Sequence, residues 1–319
     1  MDVKALLSAH PAWLDHLESV GGFEVVLPGG GLADELLRLT VPHEDVNAIL
    51  AARPEPGTPQ WWLTERCAHS LVSTMGAMED PPPFQPLPEL GPYFYVYVFL
   101  AALPHTRAHH RSLGIPEEVS WATFTDLGRN MAVHRKRFGT AGLHVPYWFM
   151  LHARGILYEL GRLQFNLATL GRTTGETLRA AGLPLGPGSP SLAVHVPGFH
   201  GPLTPEACDA SFERARRFFP RHFPGHFPGS DRRVMTCGSW LLDEQLARYL
   251  PADSNILAFQ RRFHPLHRFD DGDVLSFVFG GDATADPAAL PRRTRLERAI
   301  ADHLTAGGTW YGRRGWLPF

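Results

Sequence analysis

The stretch GILYELGRLQFNLA, residues 155–168, narrows the folds open to this 319-residue chain more than any other. Ile156–Leu160 and Leu163–Leu167 flank a two-residue Gly161-Arg162 connection. Glycine at the first central position suits a type II′ turn, whose twist matches that of paired antiparallel strands. In that register Leu160 faces Leu163, Tyr158 faces Phe165 and Ile156 faces Leu167, so one face is wholly apolar. The other face carries Leu157, Glu159, Gln164 and Asn166, with Glu159 opposite Gln164, and its expected environment is solvent.

Around this hairpin the texture of the chain changes. Residues 1–141 read as a mainly helical domain, with apolar stripes near Leu6–Leu17, in Glu44–Arg53 and in Gln60–Met75. A proline-rich connection, PPPFQPLPELGP (81–92), follows. A helix pair is expected over 114–139. Residues 142–319 alternate strands and helices, which makes the whole chain α+β. SLAVHV (191–196), RVMTCGSW (233–240) and DVLSFVFG (273–280) read as strands, and the closing TWYGRRGWLPF as another. Between the first two lies a well-marked helix start: Thr204 as N-cap, Pro205 in the first turn and Glu206 behind it. Cys208, Phe212, Ala215 and Phe219 form its buried stripe, and Pro220 is expected to end it.

Composition excludes several classes. With 44% hydrophobic and 11% aromatic residues, the chain can bury a large core. No apolar run reaches the ~18 residues of a membrane span, and the N-terminus lacks the pattern of a secretory signal; a cytoplasmic protein without a membrane partner is expected. Cys67, Cys208 and Cys237 are too scattered for a disulfide framework or a metal knuckle. The net charge of −2 gives no basic field for nucleic acid. Residues 1–140 carry −6 and residues 141–319 carry +4, so the second half is the better host for an anion.

The passage from SLAVHV into the Thr204 helix is one place to hold such an anion. Gly198 and Gly201 lie in the turn, the first backbone N–H groups of the helix lack intrahelical acceptors, and the helix dipole is positive there. A pyrophosphate could sit on it without any lysine.

RGILYELGRLQFN (154–166), AVHVPGFHGPLTPEACDASFERARRFF (193–219), SWLLDEQLARYLPADSNILAFQRRF (239–263), GWLPF (315–319) and, in the first half, GIPEEVSWATFTDLGRN (114–130) resemble bacterial proteins that pair a helical acyltransferase domain with a GNAT-like (N-acyltransferase) C-terminal domain. The resemblance covers most of the chain. It implies an acyl-coenzyme A donor, an amine acceptor that is a small molecule or a peptide, and no metal. The donor's pantetheine arm would run along Val194, His195 and Val196, and its pyrophosphate would rest on Gly198, Gly201 and Thr204. PGFHGPL stands where the fold usually carries Gln/Arg-x-x-Gly-x-Gly/Ala. Asn255 opens the segment SNILAF, similar to the Asn-x-x-Ala start of a GNAT helix. The tyrosine expected one turn on is missing, and Tyr249 or Tyr158 would stand in for it. Glu159 is the first candidate base and His195 the second; Cys237 and Ser239 are candidates for the acid or for lining the site. Tyr158, Gln164 and Trp240 are expected to face the acceptor, whose pocket the N-terminal domain would shape. The alternative from another class is a non-catalytic GNAT-like binding protein.

RHFPGHFPGSD (221–231) admits three readings. Followed by LLDEQLA, it is similar to the active-site segment of hot-dog 3-hydroxyacyl dehydratases, with His226 and Glu244 as the pair. His222 and His226, four apart, have the spacing of metal ligands on a helix, although Pro224 and Gly225 interrupt one. The third reading is a turn-rich connection with Phe223 and Phe227 against the core, and position favours it.

Overall fold

The structure is a computed structural model that describes residues 3–143, 145–227, 234–270 and 272–319. It divides into two compact units, Met1–Tyr158 and Glu159–Phe319. No helix among the described residues is long and apolar enough to cross a membrane.

The first unit is helical: α1 (Val3–Leu6), α2 (Pro11–Val20), α3 (Leu32–Arg38), α4 (His43–Ala51), α5 (Pro59–Ser73), α6 (Phe94–Ser112), α7 (Glu117–Phe124), α8 (Asp126–Phe138) and α9 (Pro146–Ala153). Every residue of α6 from Phe94 to Leu103 is buried, as expected of a helix that is apolar all round and sits at the centre of its unit. Leu63, Cys67 and Leu71 of α5 belong to the same core. Two tyrosines reach α4: Tyr93, at the N-cap of α6, donates to Asp45 Oδ1 at 2.8 Å, and Tyr97 of α6 donates to the Ile49 carbonyl at 2.5 Å. Gly128 lets α8 pass against the backbone of Thr40, where a Cβ would come within 2.1 Å of the Thr40 carbonyl carbon. The change of texture at Gly142 is not where packing divides the chain, because Phe149, Met150 and Ala153 of α9 join the helical core.

The chain leaves this unit inside β1 (Leu157–Glu159). β2 (Gln164–Thr169), β3 (Pro190–His195), β4 (Val234–Ser239), β5 (His264–Phe269) and β6 (Gly312–Pro318) complete a six-stranded mixed sheet in the order β1-β2-β3-β4-β6-β5. The hairpin is present. Leu160 N–H donates to the Leu163 carbonyl at 3.1 Å, and Gly161 has φ 101°, a conformation open to glycine. The unit's helices are α10 (Arg172–Ala180), α11 (Pro205–His222), α12 (Asn255–Gln260), α13 (Asp273–Phe279) and α14 (Arg295–Thr305).

Three elements differ from expectation. DVLSFVF is helix α13, not a strand; its Val274 and Phe279 pack in one cluster with Ala299 and Ile300 of α14. A short apolar run carries no period that separates a buried helix from a buried strand. Helix α11 continues through Pro220 to His222. That proline falls in the last turn, where it removes one donor, and Phe223 N–H still returns to the Phe219 carbonyl at 2.8 Å. Strand β5 went unforeseen because Pro265 interrupts it. It is an edge strand whose pairing with β6 shifts register between Pro265 and Arg268, the kind of place a sheet tolerates proline.

Candidate active site

β3 and β4 run parallel and, among the described residues, pair only at Leu192↔Met235 and Ala193↔Thr236. Their outer partners hold on further: β2 stays in register with β3 as far as Gln164↔His195, and β6 with β4 as far as Ser239↔Arg313. The sheet therefore opens between the C-terminal ends of β3 and β4, where backbone groups no longer meet across the pair. Such an opening receives an extended, amide-bearing chain as a sheet edge receives a strand.

The next residues form the loop into α11. Arg162, the second turn residue of the hairpin, donates to the Pro197 carbonyl (2.9 Å) and the Pro202 carbonyl (3.3 Å) and is itself buried. Burial lowers its pKa from the ordinary arginine value. It braces both ends of the loop that holds Gly198 and Gly201, both exposed. Thr204 caps α11 by accepting from Ala207 N–H at 3.3 Å, while Gly161 packs its turn against Ser211 and Arg214 of the same helix. The helix start, the loop and the hairpin are one assembly, and the α11 N-terminus has the chemistry of an anion site.

The polar face of the hairpin is not solvated. Glu159, Gln164 and Asn166 are 8%, 1% and 9% exposed. The sheet continues past β2 and the loop covers β1, so alternation marked two buried faces, one of them polar. His200 Nε2 lies 3.1 Å from Glu159 Oε2, with both side chains about nine-tenths buried. Asn166 Oδ1 lies 2.5 Å from His195 Nε2, at the end of β3. Gln164, beside His195 in the β2–β3 register, has no hydrogen-bond partner for Nε2 among the described residues. Sequence reasoning placed Glu159 and His195 here. It missed His200, which stands inside the quoted PGFHGPL, and the brace formed by Arg162.

The remaining candidates scatter. Val194 is buried in β3 and Val196 follows its end. Cys237 lies on β4 at 2% exposure, where burial, partly offset by Arg314, pushes its thiol up to about 12. Ser239 Oγ accepts from Leu241 N–H and Asn255 begins α12 behind its cap, Ser254. Tyr249 meets His303 Nδ1 at 2.9 Å and, with Trp240, packs on the cluster around α13 and α14. Tyr158 is fully buried and donates to the Gly155 carbonyl at 2.6 Å, a packing role rather than an acceptor-facing one. The dehydratase pair is committed elsewhere. His226 Nε2 bonds the Ala168 and Ser191 carbonyls at 3.1 and 3.2 Å, and Glu244 is clasped by Arg268 and Arg313. Of RHFPGHFPGSD, His222 ends α11 against Phe218 and Phe227 packs on Phe319; residues 228–231 lie outside the described residues.

The family model for the GNAT-like C-terminal domain matches residues 157–317, and that for the N-acyltransferase N-terminal domain matches residues 31–155. The chain belongs to this N-acyltransferase family. No curated protein matches it. Among solved structures, it is 41% identical to an acyltransferase in complex with decanoyl-CoA, with TM-score 0.86 and all of both chains covered. An acyltransferase in complex with CoA and 10C-teicoplanin is 40% identical, with TM-score 0.85 over 100% of this chain and 99% of the other. A third, with decanoyl-CoA and teicoplanin, is 41% identical at 0.85 over 99% of each. This N-acyltransferase is an enzyme that moves an acyl group from an acyl-CoA donor to an amine. Of the two classes the sequence left open, the catalytic one holds, and the dehydratase reading falls.

Proposed function

We propose that this N-acyltransferase transfers a medium-length aliphatic acyl group to an amine of a glycopeptide, with His195 as general base. The observation that carries the reading is the opening between β3 and β4 with His195 at its rim, in a chain 41% identical over its full length to an acyltransferase holding decanoyl-CoA. The glycopeptide acceptor is supported by the relatives in complex with teicoplanin.

The acceptor nitrogen must be neutral to attack the thioester carbonyl carbon. As the C–N bond forms, charge collects on the carbonyl oxygen, where strand N–H groups in the opening can meet it. His195 takes the proton from nitrogen. The C–S bond then breaks and the electron pair leaves with sulfur. A thiol of pKa near ~8.5 is a good leaving group, so no strong acid is needed at Cys237 or Tyr249. Glu159 acts through His200, holding the Pro197–Thr204 loop against β1 for the pyrophosphate. An acyl-CoA donor supports a cytoplasmic reaction with a small-molecule or peptide acceptor.

The test offers acetyl-, octanoyl-, decanoyl- and dodecanoyl-CoA with a teicoplanin-type glycopeptide bearing a free primary amine, and follows amide product and free CoA by mass spectrometry. Transfer that is favoured by longer chains, by up to a few-fold for each methylene buried at ~0.8 kcal/mol, is the expected result. Absence of transfer from every donor, or a preference for acetyl-CoA, overturns the reading.

A further inference from the structure

Asn166 has no role in the reaction as described so far, yet it is buried at 9% exposure on β2, beside His195 on β3. Its amide nitrogen donates to the Leu167 carbonyl at 2.8 Å. That bond settles which way the amide points, since the nitrogen only donates and the oxygen only accepts. Oδ1 is thereby turned to His195 Nε2 at 2.5 Å. An acceptor facing Nε2 requires the proton there, and the lone pair of the neutral ring then lies on Nδ1.

We propose that Asn166 is the positioning residue for His195, holding it as the neutral Nε2–H tautomer so that Nδ1 accepts the acceptor's proton; this rests on His195 being the base. The choice of amide over carboxylate has a consequence. An Asp would orient the ring equally well, but its charge would favour imidazolium and raise the pKa. A larger share of the ring would then be protonated at neutral pH and withdrawn from base catalysis. A neutral acceptor fixes the tautomer without that penalty. Sheet register makes the geometry rigid: Asn166 pairs with Ala193 and Gln164 with His195 in one antiparallel ladder.

The experiment uses the full-length enzyme labelled with 15N in histidine. Long-range proton–nitrogen spectra above pH 8, with His195 assigned through H195Q, read its tautomer directly. Expected are a protonated Nε2 and an unprotonated, pyridine-type Nδ1 in the wild type, averaged signals in N166A and the wild-type tautomer again in N166D. Kinetically, N166A should lose roughly 10–100-fold in kcat, the range seen when a metal-bound imidazole loses its orienting partner, with KM for acyl-CoA within about twofold. N166D should instead move the rising limb of the kcat/KM profile upward by at least about one pH unit and regain activity in alkali. A merely structural role would lower activity equally across pH and leave the tautomer unchanged. Either an Nδ1–H tautomer in the wild type, or a tautomer indifferent to N166A, overturns the proposal. Should H195A retain full transfer, the assignment of His195 as base falls, while the spectra still decide whether Asn166 sets its tautomer.

Discussion

Arg154 in the helical unit and His195 in the sheet unit are both polar side chains withdrawn from water, and their surroundings differ in kind. Arg154, 1% exposed, donates to the carbonyls of Thr74, Ala77 and Glu79 and pairs with Asp80. Its bonds go mainly to backbone, and they fold the segment after α5 around one guanidinium. His195 is half-buried at a strand end and bonded to a neutral amide, next to a place where two strands stop pairing. Buried polarity that satisfies backbone holds a fold together. Buried polarity that meets other side chains at a break in the sheet suits the proton transfer proposed for His195.

Substitutions at the two sites should separate these roles. H195A should lower kcat/KM by about 10²–10⁴-fold, the usual contribution of a general base, with an unchanged thermal midpoint. A comparable loss of stability would erase the contrast. R154M should do the converse, costing about 1–3 kcal/mol in urea unfolding because it leaves the Thr74, Ala77 and Glu79 carbonyls without their donor, while the solvated Asp80 adds little. Its folded fraction should transfer acyl groups normally.

Smaller effects sharpen the picture. Y249F removes the bond to His303 and should cost about 1 kcal/mol of stability while leaving turnover within about twofold. A tenfold fall in turnover would return Tyr249 to the list of acids. Glu244 supplies the smallest effect. Desolvation pushes its carboxyl up, but hydrogen bonds from Arg313, Arg268 and its own backbone, with the Arg313 charge, outweigh that and bring it to about 2. A depressed folded pKa contributes stability that is complete above the ordinary value near 4.5 and lost as pH falls through about 2. E244Q should therefore be less stable than wild type at pH 6, with a gap below about 1 kcal/mol because the carboxylate is half exposed. That gap should narrow by pH 3.

How much of this the sequence discloses depends on whether local rules decide the matter. The hairpin, the α11 cap and the β3 strand follow from Gly161, from Thr204-Pro205 and from alternation, and each is set within a few residues. Resemblance supplied the reaction class. The environment of Glu159, Gln164 and Asn166 could not be read locally, because alternation reports two faces and not what lies over each. Neither could the pairing of His200 with Glu159, which joins a loop to a strand forty residues away, nor the helical state of 273–279, which the packing of α13 against α14 decides.

Arg162 carries one more implication. Its guanidinium spans Pro197 and Pro202 like the jaws of a caliper, so the loop between them has a measured length. Side chains between the two prolines can change without altering that span. Adding or removing a residue is a different matter, because the gauge that sets the loop is cut into the hairpin itself.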